Sequence, residues 1–235
     1  MVADRAAEHP VPVAPARLAD LIANLIDNLI DNLHERVIAG SLVDSLAPSR
    51  HGRLRVAVDG SPAAHPGRLA DSLVDPLRAL GRPAARVSGG DFLRPASVRL
   101  ENGRTDPDSY RSGWLDAGAL QREVLAPFAA GGRAGGRFLP TRWDDQRDRA
   151  TRATPVEAPA GTVLLVDGTF LLDRNLDFDL TVHLSLSVGT LGRRLPEALR
   201  WTLPAYAGYD GSERADVVVR LDDVAHPAVL VRRRS

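Results

Sequence analysis

The chain has 235 residues, 44% hydrophobic and 26% charged, enough for one α/β domain with a full core and an appended segment. Thirty basic residues balance thirty acidic ones, which removes any general attraction to nucleic acid or an anionic membrane. The basic residues are all arginine and cysteine is absent, so disulfides and thiolate metal sites are excluded. No apolar run approaches the ~20 residues needed to cross a bilayer. The first 17 residues lack the apolar core of a signal peptide. A cytoplasmic protein without nucleic-acid or membrane partners is expected.

Residues 1–16, rich in Ala, Pro and Val, read as a disordered arm. From Arg17 to Gly40 the near-repeats LIAN, LIDN and LIDN set leucine and isoleucine at helical spacing, and an amphipathic helix is expected over 17–40. Its apolar face either docks on the parent domain or forms the seam of a homodimer. Residues 41–53 read as a linker and 54–222 as the main domain. There, a strand over 54–58 precedes a helix over 68–80 that Pro76 should kink or shorten. A second strand is expected from Ala84 to Ser88, and residues 94–113 read as polar loop, with Asp106-Pro107-Asp108 as a turn. Asp116 can cap a helix reaching Phe128, with Leu120, Val124 and Leu125 inward. Residues 137–160 show little periodicity. The unalternating run 162–166, ending in Asp167-Gly168, suits a parallel strand buried on both faces. A strand over about 178–186, a helix over Val188–Trp201 interrupted by Pro196, and a strand over Ala215–Leu221 follow, with 223–235 as a tail. Strands alternating with helices give an α/β fold, an open parallel three-layer sheet.

The stretch LRVAVDGSPAAHPGRLA, residues 54–70, runs strand, glycine turn, small-residue loop, helix, the layout of a phosphate-binding loop. The pattern G-x-x-x-x-G-K-[ST], counted from Gly60, puts His65, Pro66 and Gly67 where glycine, lysine and a hydroxyl residue belong. Pro62 and Pro66 each remove a backbone donor. Arg68 is the nearest cation; it either turns inward to bind phosphate bidentately or stays exposed in the first helical turn. Ligands of such sheets lie beyond the carboxyl ends of the strands. Gly60–Gly67, Asp91 and Asp167 all fall there. Asp91 is a catalytic base or a loop cap, and Asp167 a magnesium-shell carboxylate or an ordinary turn residue. His65 sits in the loop, and His183 reads as structural; Trp114 and Trp143 are candidates to stack a base. The six histidines show no metal-binding spacing, and Ser61 lacks the G-x-S-x-G context of a nucleophile.

VAVDG entering the loop, GGDFLRP after the second strand, VLLVDGTFLL, GRRL and ERADVVV occur in an order that resembles the uridine kinase-like branch of P-loop nucleoside kinases, over roughly residues 52–222. The likeness is strongest to actinobacterial members with an altered phosphate loop. It implies the P-loop kinase fold with an extra N-terminal helix, ATP and Mg²⁺ as ligands, and transfer of a phosphoryl group to a nucleoside or similar small molecule. Under it, Asp91 activates the substrate hydroxyl and Asp167 stands at the end of the Walker B-like strand. Gly60, Ser61, His65, Gly67 and Arg68 belong to the nucleotide loop; Arg193 and Arg194 are lid arginines; Tyr110, Arg111 and Asp116 lie where the nucleoside binds. Nothing carries over for the lysine and hydroxyl positions. The alternatives are a catalytically impaired pseudokinase that binds a nucleotide or metabolite, and an interaction protein working through its N-terminal helix.

Overall fold

In a computed structural model the described residues are 10–28, 52–130 and 136–232. The expected helix beyond residue 28, most of the linker and residues 1–9 of the arm lie outside them. At the centre is β2 (Leu54–Gly60), flanked in parallel by β8 (Val163–Gly168) and β9 (Leu180–Ser185). β3 (Ala84–Ser88) adds parallel to β8, and β10 (Val217–Arg220) parallel to β9. Two antiparallel strands, β11 (Ala228–Val231) and β1 (Val11–Pro12), complete a seven-stranded sheet in the order β1-β11-β10-β9-β2-β8-β3. The sheet is therefore mixed, with five parallel strands.

Strand alternation sorts the core into two layers. Val56, Val58, Val163 and Leu165 face α2 (Pro66–Ala79), packing with Leu69, Leu73 and Leu77. Ala57, Leu164 and Val166 face the opposite way, onto Leu120, Val124, Leu125 and Phe128 of the helix α5 over 117–130. A π-helical stretch, Gln121–Leu125, interrupts that helix. Asp116 caps it as expected, its Oδ1 accepting the Ala119 N–H at 2.9 Å. Residues 18–28 form a helix, α1, that docks on the α2 side of the sheet. Ile22, Ala23 and Ile26 are fully buried there. Asp27 meets Arg82, just beyond α2, at 2.8 Å.

The structure departs from expectation in four places. Residues 10–16 are no disordered arm: Val11–Pro12 pairs with β11, which itself lies in the stretch read as a tail. The loop over 94–113 contains α3 (Ala96–Arg99) and α4 (Pro107–Gly113). Asp106 caps α4 and Pro107 opens it, so the pair read as a turn is a helix start. α2 runs through Pro76, which removes one N–H from the ladder but leaves the following turn bonded, with the Leu80 N–H reaching the carbonyls of Pro76 and Leu77 at 3.1 Å. The helix closes at Gly81 with φ 79°. Residues 136–158 form two small hairpins, β4 (Gly136–Phe138) with β7 (Val156–Ala158) and β5 (Trp143–Asp144) with β6 (Arg149–Ala150). Pro196 does end α6 (Val188–Arg194), before a 3₁₀ stretch and α7 (Leu203–Tyr206). Among the described residues no helix is long and apolar enough to cross a membrane.

Truncating a fully buried isoleucine in α1 tests whether this helix is part of the core. Ile22→Ala and Ile26→Ala should each lower stability by about 2–5 kcal/mol in urea denaturation. Losses under about 0.5 kcal/mol at both would detach the helix from the core.

Candidate functional site at the strand carboxyl ends

The phosphate-loop position is built but inwardly satisfied. After Gly60 the chain makes a 3₁₀ turn, Pro62–Ala64, and enters α2 through His65. His65 stands at the motif's second glycine and adopts its left-handed backbone, φ 55° and ψ 55°. The N–H of Ala64 donates to Ser61 O at 2.9 Å and that of His65 to Pro62 O at 3.1 Å. With no N–H on Pro62 or Pro66, four amides that could face an anion are missing or occupied.

Beside the loop stands Arg86, from β3. Its Nε donates to Asp167 Oδ1 at 2.7 Å, and its Nη1 lies 3.1 Å from Asp71 Oδ1 on α2. The third nitrogen, Nη2, faces Gly67: a Cβ there would lie 2.6 Å from it and 3.1 Å from Asp167 Oδ2. A side chain at position 67 would therefore require the guanidinium to shift. Asp91 lies nearby in a 3₁₀ turn after β3. Burial raises its pKa; Arg86 opposes this, while Asp167, Asp145 and Asp144 add to it.

Behind the loop, the carboxylate of Asp59 is fully buried at the end of β2. Its Oδ1 accepts the Leu171 N–H at 2.8 Å, and its Oδ2 meets His183 Nδ1 at 2.7 Å and the Tyr209 hydroxyl at 2.6 Å. Burial and the Asp59 charge both drive the Tyr209 pKa up. Next to His183, a Cβ on Gly211 would come within 2.5 Å of the ring.

These elements border a cleft of ≈ 590 Å³. Arg68, Arg86 and Arg174 supply its cations, Asp71 and Asp167 its carboxylates, and Tyr110, Trp114 and Phe170 an aromatic wall. Trp114 and Trp201 both pack on Tyr110, at 5.0 and 5.5 Å between ring centroids. Two buried donors of lining residues, Trp114 Nε1–H and Arg174 Nε–H, have no hydrogen-bond partner. Burial also lowers the Arg174 pKa.

Of the residues singled out in the sequence, His65, Gly67, Arg68, Tyr110, Trp114 and Asp167 line this cleft. Gly60 packs against Leu184, and Ser61 is buried with its hydroxyl unpaired. Arg111 pairs with Asp173 at 2.6 Å, tying α4 to the segment after β8. Asp116 joins its capping role to a contact with Arg142 at 2.9 Å. Arg194 donates to the carbonyls of Leu221 and Asp222, and Arg193 to Thr190 within its own helix. Arg86, Asp71 and Arg174 went unnoticed. The available signal was an arginine at the third position of a five-residue strand that otherwise holds only small or apolar residues.

No protein-family model and no curated relative matches the sequence. Solved structures do match. A protein described as a possible uridine kinase from Bacillus stearothermophilus aligns with a TM-score of 0.54 at 19% identity, covering 82% of this chain and 98% of that one. The YGR205w protein aligns at 0.55 and 12% identity, over 90% and 99%. A proposed fructose transport system kinase from Silicibacter sp. TM1040 aligns at 0.50 and 24%, over 79% and 85%. This chain has the P-loop kinase fold, and its resemblance to uridine kinase-like proteins holds at that level.

That fold implies ATP and Mg²⁺, and the residues present do not fit the metal. The loop position that would offer a hydroxyl is Gly67, and Asp167, the carboxylate opposite, is already paired with Arg86.

The raised pKa of Asp91 has a defined pH signature. The folded chain holds this proton to higher pH than the unfolded chain, whose value is about 3.8, so the ionised group disfavours folding above the folded pKa. Asp91→Asn should therefore melt no lower than the parent at pH 7, with any gain shrinking as pH falls towards 4. A clear drop in Tm at pH 7 would mean that the carboxylate stabilises the fold.

Proposed function

We propose that this protein binds a small molecule carrying a flat ring and a phosphate group, a nucleotide-like metabolite, in the cleft at the strand carboxyl ends. In this reading the kinase fold serves binding, and phosphoryl transfer from ATP is impaired. One observation carries it: the aromatic wall of Tyr110, Trp114 and Phe170 shares this cleft with Arg68 and Arg86. The aromatic wall suits a ring, and the arginines suit a phosphate.

The loop argues against ATP turnover. Phosphoryl transfer rests on preorganised charge neutralisation, and losing one such donor costs about 3–4 kcal/mol of transition-state stabilisation. This chain lacks the lysine, the hydroxyl and several loop amides together. A second reading, ATP-dependent transfer to a nucleoside hydroxyl, is favoured by Asp91, since a raised pKa makes a carboxylate a better base.

Calorimetry and thermal shift with UMP, AMP, ADP, ATP and uridine test both. A monophosphate should bind and raise Tm. Trp114→Ala should weaken it by about fivefold through loss of a ring face, and Arg68→Met by more than about tenfold. Absence of binding by all five at millimolar concentration would remove the proposal. ADP release coupled to loss of nucleoside would establish the second reading instead.

A further inference from the structure

The cation that P-loop phosphotransferases place between loop and strand has a covalent substitute here. The space between the Gly67 position and Asp167 is filled by the Arg86 guanidinium, 2.7 Å from Asp167 Oδ1 and 3.1 Å from Asp71 Oδ1. No side chain longer than hydrogen fits at position 67 unless Arg86 moves, because a Cβ would stand 2.6 Å from Nη2. The missing hydroxyl and the inserted arginine are therefore one arrangement.

The geometry points to Arg86 as the resident cation of the cleft, so that a phosphate-bearing ligand is held without a divalent metal. The inference rests on the reading of the cleft as a phosphate site. Two of the five guanidinium N–H groups are committed to carboxylates, while Nη2 takes no acceptor among the described residues and faces the first turn of α2. The start of this 14-residue helix adds its own partial positive charge. Three lining arginines against two aspartates leave one unit of excess positive charge. A phosphomonoester, at about −1.5 to −2, nearly balances that excess and the helix terminus together. A metal-free triphosphate, with roughly twice that charge, does not. The ligand class is accordingly a monophosphate ester.

Two measurements decide. UMP affinity by calorimetry should agree within about twofold in EDTA and in excess Mg²⁺, and Arg86→Gln should lower it more than about tenfold in EDTA. The double variant Arg86→Gln/Asp167→Asn leaves no unpaired buried carboxylate and should show the same loss, which keeps the test valid if the single variant unfolds. Independently, electron paramagnetic resonance of added Mn²⁺ should find no stoichiometric site in the parent protein and a new one in Arg86→Ala/Gly67→Ser. A parent Mn²⁺ site abolished by Asp167→Asn, or a UMP affinity that rises about tenfold with Mg²⁺, overturns the inference. Failure of UMP to bind in either buffer defeats the phosphate-site reading itself, and the Mn²⁺ result then decides the place of Arg86 alone.

Discussion

A carboxylate with no exposure to water must be fully bonded or the chain cannot fold around it. Asp59 is such a group, and its three donors come from three separate parts of the chain: Leu171 after β8, His183 on β9 and Tyr209 between α7 and the short helix Gly211–Arg214. The central strand therefore ends in a junction that places both walls of the cleft. Leu171 follows Phe170 of the aromatic wall, and Tyr209 packs edge-on against Phe170 at 4.9 Å. Thr169 secures the same junction by donating to Gly60 O at 2.9 Å. The ligand-facing surface is thus anchored from behind by a buried network whose carboxylate, Asp59, lies outside the cleft lining, while Leu171 and Thr169 reach it.

In front of that junction the electrostatics have been closed internally. A metal-dependent phosphate loop keeps carboxylates and amides waiting for ligands, which leaves like charges unneutralised in the empty protein. Here Asp167 is neutralised by Arg86, and two loop amides by carbonyls of the loop itself. The arginine comes from β3, two strand positions away from β2 in the sheet, so the sheet order is what delivers it.

The five parallel strands were legible because each is an apolar run or alternation long enough to fill its own place, as VLLV in β8 does on both faces. The two antiparallel strands were not. Val11–Pro12 and Ala228–Val231 carry two and four residues, and their pairing joins segments more than two hundred positions apart. His183 was read as structural from its polar neighbours, and it is buried, but its partner Asp59 lies 124 positions away. The same distance problem hid the site's main cation. Arg86 and Asp167 are 81 residues apart, so the lone arginine in a strand of small and apolar residues does not reveal its partner. The loop's missing residues could be counted from the motif, whereas what replaced them could only be seen once β3 and β8 were side by side.

The features that weaken this loop as a triphosphate cradle are the ones that stabilise it without a ligand. Pro62 and Pro66 open their helical segments, where a missing N–H costs nothing and a fixed φ narrows the unfolded ensemble. Satisfied amides and a pre-neutralised carboxylate remove desolvation penalties that a bound nucleotide would otherwise have to relieve. Catalytic sites commonly carry such unrelieved strain and charge, and relieving it stabilises the fold while removing activity. The left-handed His65 is the remaining cost, of order 1–2 kcal/mol, and it persists because the turn between β2 and α2 demands that backbone whichever residue occupies it. Retention of the turn's shape with replacement of its chemistry is what separates the fold of this protein from the activity the fold most often serves.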